Sequence, residues 1–382
     1  MFWGVIKFSS FIIVIFMSKN TKKMNISEIR KVFELAQKLN NPIDLSIGKP
    51  DFAVPKEIKE EAQKAIENDF NDYSLTVGVL ELRKKVVEKL RRKNKIKTAT
   101  ENNTIITSAV SGGLSVVLPA IINSGDEVII FDPYFVGYKQ LVLLYGGVPK
   151  IVSKNENFSL NIKNIQEAVS KKTRAIIVNS PENPTGYVWT ESELKEVARI
   201  AEKNNLYIIS DEIYENFVYE QERPHFSIGS FYKKAITLGG FSKSYAMTGW
   251  RIGYIHLPSE LVEEVIKVQQ FTFVCAPTPL QYAALKAFEV NTLDFVKKYK
   301  KRRNFIFSKL KDKYEINNPF GSFYFFIKYP FDGDKFIKKC LENNLLVVPG
   351  SAFSEKNTHF RISFSSKNND IKKAIEILNK IA

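Results

Sequence analysis

From residue 104 onward this chain of 382 residues alternates short apolar runs with helical stretches, a pattern few architectures accept. The runs are Thr104–Thr107, Glu127–Phe131, Ala175–Asn179, Leu206–Ser210, Ala235–Leu238 and Ile252–His256. They are apolar throughout rather than on every second residue, so both faces of each strand have to be buried. That demands a mostly parallel sheet with helices above and below it. Helical periodicity fills the gaps at 112–122, 135–145, 162–170, 191–204 and 259–270. Beyond about residue 285 the pattern changes to a long charged helix (286–312), strands at 322–328, 345–348 and 359–364, and a terminal helix (368–381). Upstream, Ile26, Ile29, Val32, Phe33, Leu35, Ala36 and Leu39 set a helix over 26–39, 43–48 reads as a short strand, and 55–68 and 78–93 read as amphipathic helices. The chain thus divides into a large α/β domain over 51–285 and a smaller α+β domain over 286–382, which the segment 17–50 joins.

Composition removes several classes of function. Fifty-six Lys and Arg against 41 Asp and Glu leave a net charge of +15. The cations are spread along amphipathic helices, as in Lys56 to Lys64, Lys84 to Lys95 and Lys297 to Arg303, which is the pattern of solvated faces. With no nucleic-acid signature beside it, the charge reads as general attraction for anions, and no nucleic-acid partner is expected. Cys275 and Cys340 form no CxxC, which argues against a disulfide framework or a zinc site and suits a reducing, cytoplasmic setting. Three histidines without an HExxH argue against a His-built metal centre, and no metal is expected. The apolar stretch Phe8 to Phe16 is too short to span a bilayer and has no small-residue cleavage site after it. Met17 opens a polar stretch, so residues 1–16 read as an upstream mis-start or a frayed extension, with no membrane association.

Parallel sheets bind ligands beyond the carboxyl ends of their strands, and the residues there are chemically coherent. After the first run, Ala109-Val110-Ser111 enters a helix, a small-residue start that exposes N–H groups to an anion. After the second comes Asp132-Pro133-Tyr134-Phe135-Val136-Gly137-Tyr138, where an aromatic either lies on a flat ligand or packs into core. Asn183, in Ser180-Pro181-Glu182-Asn183-Pro184-Thr185-Gly186, is held in an ordered turn. Asp211, at the end of the fourth run, is a carboxylate that needs a cation if buried; a protonated pyridine nitrogen, a helix N-terminus or an ion pair would each serve. Tyr214 follows three residues on. After the fifth run comes Ser242-Lys243, with Arg251 eight positions later. A lysine poised to lose its charge forms a Schiff base with an aldehyde, and an arginine forks onto phosphate. Pyridoxal 5'-phosphate (PLP) carries both groups.

The motifs Ser242-Lys243 with Thr248-Gly249-Trp250-Arg251-Ile252-Gly253, and Asn183-Pro184-Thr185-Gly186, together resemble the class I aminotransferases, of which aspartate aminotransferase is the best-known member. The resemblance runs from about Asn25 to the C-terminus. It implies the PLP-dependent transferase fold of type I: a large α/β domain with a mostly parallel seven-stranded sheet between helices, plus a smaller α+β domain. It implies transfer of an α-amino group from an L-amino acid to a 2-oxo acid, 2-oxoglutarate by expectation, in a ping-pong cycle. By the same resemblance Lys243 is the Schiff-base lysine and the base that moves the α-proton, and Asp211 faces the pyridine nitrogen. Tyr214 and Asn183 hold the ring oxygen, and Phe135 stacks on the ring. Ser242 and Arg251, with the backbone of Ala109, Val110 and Ser111, hold the phosphate. Arg361 in Phe360-Arg361-Ile362-Ser363-Phe364 and the backbone of Gly48 take the substrate carboxylate, while Tyr73 reaches the phosphate of a partner subunit, which implies a homodimer with shared sites.

Three positions depart from the family pattern. Ala109-Val110 stands where Gly-Gly or Gly-Ala is usual, Ser111 where bacterial-type aspartate enzymes often carry lysine for a distal carboxylate, and Gly240 where many relatives have a hydroxyl. The residues leave a PLP-dependent β-lyase acting on cysteine conjugates as the alternative enzyme. A non-enzymatic regulator or nucleic-acid binder is a remote third, suggested only by the charge.

Overall fold

The computed structural model describes residues 4–8, 11–15 and 17–382, apart from 27, 29–31, 33, 35–36 and 38. Ile29, Phe33, Leu35 and Ala36, on which the helix over 26–39 rests, lie outside the described residues. The backbone of Gly4–Phe8 pairs antiparallel with Phe11–Ile15.

Seven strands make the central sheet: β1 Thr104–Thr107, β2 Glu127–Asp132, β3 Val148–Ser153, β4 Thr173–Asn179, β5 Tyr207–Asp211, β6 Ala235–Gly240 and β7 Gly253–His256. They lie in the order β1-β7-β6-β5-β4-β2-β3. The β3–β2, β2–β4, β4–β5 and β5–β6 pairs are parallel, while β7 runs antiparallel to β6 and β1. Ile176, Ile177, Val178, Ile208 and Ile209 are all buried, as two-face burial of a central strand requires. Truncating one of them, such as Ile209→Ala, removes apolar contact on a site that cannot collapse and costs about 2–5 kcal/mol. β3 was not among the apolar runs. It lies at the sheet edge, and its Pro149 and Lys150 are the residue types an edge tolerates.

The covering helices are specified by ends as well as faces. Glu191–Lys203 starts on a reciprocal capping box between Thr190 and Glu193 and buries Leu194, Val197, Ala198 and Ala201. Asn205, at a φ of 56°, turns the chain into β5. The helix expected over 286–312 is Leu293–Leu310, and a separate helix, Thr278–Ala287, ends where it was expected to begin; the segment between them has no Gly or Pro to mark the break. A helix at Gly333–Glu342, N-capped by Asp332, was not anticipated.

The carboxy-terminal sheet comprises β8 Tyr324–Lys328, β10 Val348–Pro349 and β11 His359–Ser363, in the order β8-β11-β10, all antiparallel. β9, Leu345–Leu346, pairs in parallel with Ile43–Asp44, and the backbone continues the union: Leu45 N donates to Leu346 O at 3.0 Å and Ser363 N to Leu45 O at 2.7 Å. The short strand read over 43–48 is therefore only its first two residues, and the rest bends away toward the central sheet. One hydrophobic core joins the two sheets, running from Ile209 and Leu238 through Phe217 and Tyr299 to Phe323 and Phe364.

Candidate active site

Register places chemistry at one edge. Asn179, the last residue of β4, lies opposite Asp211, the last residue of β5. Beyond these ends a cavity of about 260 Å³ opens. Of the sequence-derived candidates it is lined by Gly48, Ala109, Val110, Ser111, Phe135, Asn183, Asp211, Tyr214, Ser242, Lys243, Arg251 and Arg361. Tyr73 is not brought to it; its side chain is 85% exposed.

Lys243 is half-buried, and its Nζ donates to the carbonyl oxygen of Gly48 at 2.7 Å. Burial, then the positive fields of Arg361 and Arg251, push its pKa down to about 8, while Asp211 opposes the shift. Asp211 is buried, which raises its pKa to about 6; a Tyr138 hydroxyl bond to Oδ2 at 2.7 Å and the Ile213 N–H to Oδ1 at 3.1 Å act the other way. The two groups titrate toward one another, as candidate acid and base groups in a cleft do.

Arg361 is 2% exposed. Its Nη1 donates to Asn183 Oδ1 at 2.9 Å, its Nη2 to Ser46 O at 2.5 Å, and its Nε has no partner. Burial lowers its pKa. Among the described residues no carboxylate forms an ion pair with Arg361, Arg251 or Lys243. Three cations face one cavity against a single carboxylate, Asp211, and this positive excess suits an anionic ligand set.

At the opposite end, Arg251 gives Nη1 to Thr248 O at 2.8 Å and adopts a φ of 58°. Ala109 has a φ of 59° and is the first residue of the helix Ala109–Ile121, so Ala109, Val110 and Ser111 are its first turn, not a preceding loop as the expected start at 112 implied. That turn has no acidic residue and Ser108 makes no side-chain cap, which leaves its N–H groups for a ligand. The Ser242 hydroxyl is buried with no partner. An orphaned hydroxyl, an uncapped helix start and an arginine without a carboxylate together fit a phosphate group. Gly240 has a structural reason for lacking a hydroxyl. A Cβ there would lie 3.1 Å from Gly253 Cα and 3.2 Å from Ile252 O, a tight fit that β6 and β7 would have to yield a few tenths of an ångström to admit.

Three residues of the site were missed. Tyr138 tethers Asp211. Asn179 Nδ2 donates to the Asp211 carbonyl at 3.0 Å and its Oδ1 accepts from Asn183 N at 2.9 Å, so it splices two strand ends. Tyr324 bonds Tyr214, hydroxyl to hydroxyl, at 2.8 Å. Tyr138 and Asn179 lay in the stretches quoted from the sequence, but each reads there as core or turn. The Asn183 turn is held from behind by a buried ion pair, Lys154 Nζ to the Glu182 carboxylate at 2.6 and 2.7 Å, with Trp189 Nε1 donating to Glu182 at 2.7 Å.

The model of the family "Aminotransferase class I and II" matches residues 40–378. The chain belongs to this family. It is 39% identical over 376 residues to a probable aspartate aminotransferase of Methanocaldococcus jannaschii, covering 95% of this chain and 99% of that one. It is 36% identical to aromatic-amino-acid aminotransferase 2 of Thermococcus litoralis, over 96% and 98% of the two chains. The solved aspartate aminotransferase of Thermus thermophilus with maleate superposes with a TM-score of 0.91 at 32% identity, covering 96% of this chain and 99% of that one. Like other aminotransferases, then, the chain is a transaminase with the α/β fold that its alternating runs required, acting on amino and oxo acids. Family membership sets aside the reading of a non-enzymatic regulator. Aminotransferases of this family depend on PLP, and the fit of phosphate, cationic-nitrogen and aldehyde partners to Ser242 and Arg251, Asp211 and Lys243 agrees with that dependence.

Proposed function

We propose that this aminotransferase moves the α-amino group of an L-amino acid to a 2-oxo acid, with 2-oxoglutarate as acceptor, in two half-reactions on PLP. The observation that carries the reading is one cavity in which a half-buried lysine of lowered pKa sits among two carboxylate-free arginines and faces a buried aspartate. The Ala109–Ser111 turn, Ser242 and Arg251 hold the phosphate, Asp211 the ring nitrogen, Tyr214 and Asn183 the ring oxygen, and Phe135 the ring face. When bound, the cofactor supplies a sink for the electron pair left at the substrate Cα and carries the amino group between half-reactions. The protein does the rest. Arg361 orients the substrate by its carboxylate, with Gly48 beside it. The Nζ of Lys243 takes and returns the α-proton, and the lowering of its pKa to about 8 favours the neutral amine that this step needs. Asp211 stays ionised against burial because Tyr138 and the Ile213 N–H favour its charged form.

The test is reduction of the loaded protein with borohydride followed by peptide mapping, together with turnover of Lys243→Ala. A pyridoxyl adduct on Lys243 and loss of turnover are expected; an adduct elsewhere, or retained turnover, overturns the reading. The donor is left to a screen against 2-oxoglutarate. Relatives named for aspartate, for aromatic amino acids and for (5-formylfuran-3-yl)methyl phosphate are 39%, 36% and 38% identical to this chain, so likeness does not choose among donors.

The reading includes a homodimer with shared sites. Tyr73 and Leu75 are exposed, as are Phe271, at 86%, and Val274, and Gln269 Nε2 joins the two segments by donating to Thr76 O at 2.6 Å. An apolar patch of this kind on the rim of a site suits a second copy that places its Tyr73 at the neighbouring phosphate. Sedimentation measures it, with twice the chain mass expected. The domain division at 51–285 and 286–382, with 17–50 joining the latter, is supported by the pairing of Ile43–Asp44 with β9. Free Cys275 and Cys340 suit a cytoplasmic setting, and no described helix is long and apolar enough to cross a membrane.

A further inference from the structure

β8 and β11 run antiparallel with Tyr324 opposite Ser363 and Phe326 opposite Arg361. Residues two apart on a strand share a face, so Tyr324 is the diagonal neighbour of Arg361. The guanidinium carbon lies 4.5 Å from the Tyr324 ring centroid and 4.5 Å from that of Phe353. With no carboxylate paired to it among the described residues, this buried cation is held by two ring faces and two oxygen acceptors. The other end of the same ring meets the large sheet: its hydroxyl is the one bonded to Tyr214. It also touches the Gly48 backbone, where an added Cβ would lie 2.1 Å from the Tyr324 oxygen, so residue 48 has to be glycine while residue 324 is tyrosine.

We propose that Tyr324 is a positioning residue for the reaction: its ring face aims the Arg361 guanidinium, and its hydroxyl aims the hydroxyl hydrogen of Tyr214. The inference rests on the roles given to Arg361 and Tyr214 above. Each phenol has one hydrogen. For Tyr214 to donate to the cofactor's ring oxygen, Tyr324 must donate to Tyr214, and the resulting chain polarises both hydroxyls. One side chain then links the carboxylate end of the cavity to the ring-oxygen end.

The two roles separate by substitution in the loaded protein. Tyr324→Phe keeps the ring and removes the hydroxyl. Cofactor Kd rises about three- to tenfold, the pH midpoint of the cofactor's absorbance change moves up by roughly half a unit, and donor KM stays within about twofold because the ring face remains. In a Tyr214→Phe background the same change adds nothing, since the hydrogen it aimed is gone. Tyr324→Leu repeats the cofactor effects and adds a rise in donor KM of about tenfold, from loss of the ring under Arg361. Melting of each cofactor-free variant separates misfolding from misplacement, and Tyr324→Phe, nearly the same in shape, serves if the leucine variant fails to fold. Wild-type cofactor affinity and absorbance in Tyr324→Phe, or additive effects with Tyr214→Phe, overturn the hydroxyl role; unchanged donor KM in a folded Tyr324→Leu overturns the ring role. If Tyr214→Phe alone moves neither cofactor measurement, the assignment of Tyr214 has failed, and the hydroxyl role with it.

Discussion

Arg251 and Arg361 reach one cavity from opposite ends and are held in opposite ways. Arg361 is buried between two rings, with the Asn183 side chain and the Ser46 carbonyl as fixed acceptors. Arg251 is only half-buried, makes one bond to its own loop at Thr248, and sits beside a hydroxyl and a helix start that have no protein partner. The first end is built before a ligand arrives; the second leaves its polar groups to be satisfied by one. A carboxylate that comes and goes in every half-reaction needs a preset fork, since rearrangement would be repeated each time. A phosphate that binds once and stays can complete its own site.

The largest effect expected from this contrast is on Arg361→Lys. Loss of the planar fork lowers donor kcat/KM on the order of a hundredfold while cofactor Kd stays within about threefold. Arg251→Lys does the reverse, raising cofactor Kd about tenfold with donor KM nearly unchanged. Steady-state kinetics and cofactor titration of both variants check this, and equal effects on both quantities would erase the distinction between the ends.

Between the ends, Lys243 bears the cost of both. Its pKa of about 8 in the fold lies below its ordinary 10.5, so the unfolded chain binds the extra proton and stability rises with pH from about 8 to 10.5. Below about 8 the full penalty applies. Lys243→Met therefore stabilises the cofactor-free protein at pH 7 by on the order of 3 kcal/mol, a gap that narrows above pH 8. Urea titrations at pH 7 and 10 measure it; a pH-independent difference would show that packing, not charge, is responsible.

Ser242→Ala should stabilise the cofactor-free protein by about 1 kcal/mol, because a buried hydroxyl without a partner is removed, and yet weaken cofactor binding severalfold. Opposite signs in melting and titration sharpen the picture of a half-finished end; matching signs would break it. The smallest effect belongs to Ala109→Gly. Relief of the left-handed φ outweighs the added freedom of the unfolded chain by about 0.5 kcal/mol. A loss of stability in thermal melts would mean that the alanine methyl packs in a way its strain conceals.

The two ends also differed in how plainly the sequence announced them. Asp211, Asn183 and Lys243 stand at or within a few residues of the ends of apolar runs, so the strand-end rule exposed them without any knowledge of tertiary contacts, and Arg251 came with Lys243 by its spacing, just before the next run. The environment of Arg361 was hidden. Tyr324 lies in Phe323-Tyr324-Phe325-Phe326, a run that reads as core, and its contact with Arg361 depends on the pairing of two strands more than thirty residues apart. Tyr138 was hidden for a related reason: it stands on a helix, facing Asp211 across 73 positions of sequence. Periodicity reports which face is buried, not what the buried face touches. The same limit explains β3, whose edge position weakens its apolar signal, and the helix break after Ala287, which no Gly or Pro marks.

The backbone after Ile43–Asp44 anchors two cations of the site. Arg361 and Lys243 both end on it, one at the Ser46 carbonyl and the other at the Gly48 carbonyl. These acceptors belong to the main chain, so no exchange of side chains at Ile47 or Lys49 can delete them. Substitution at those two positions leaves the anchors of both cations in place, so side-chain change along this stretch is uncoupled from the hold on Arg361 and Lys243.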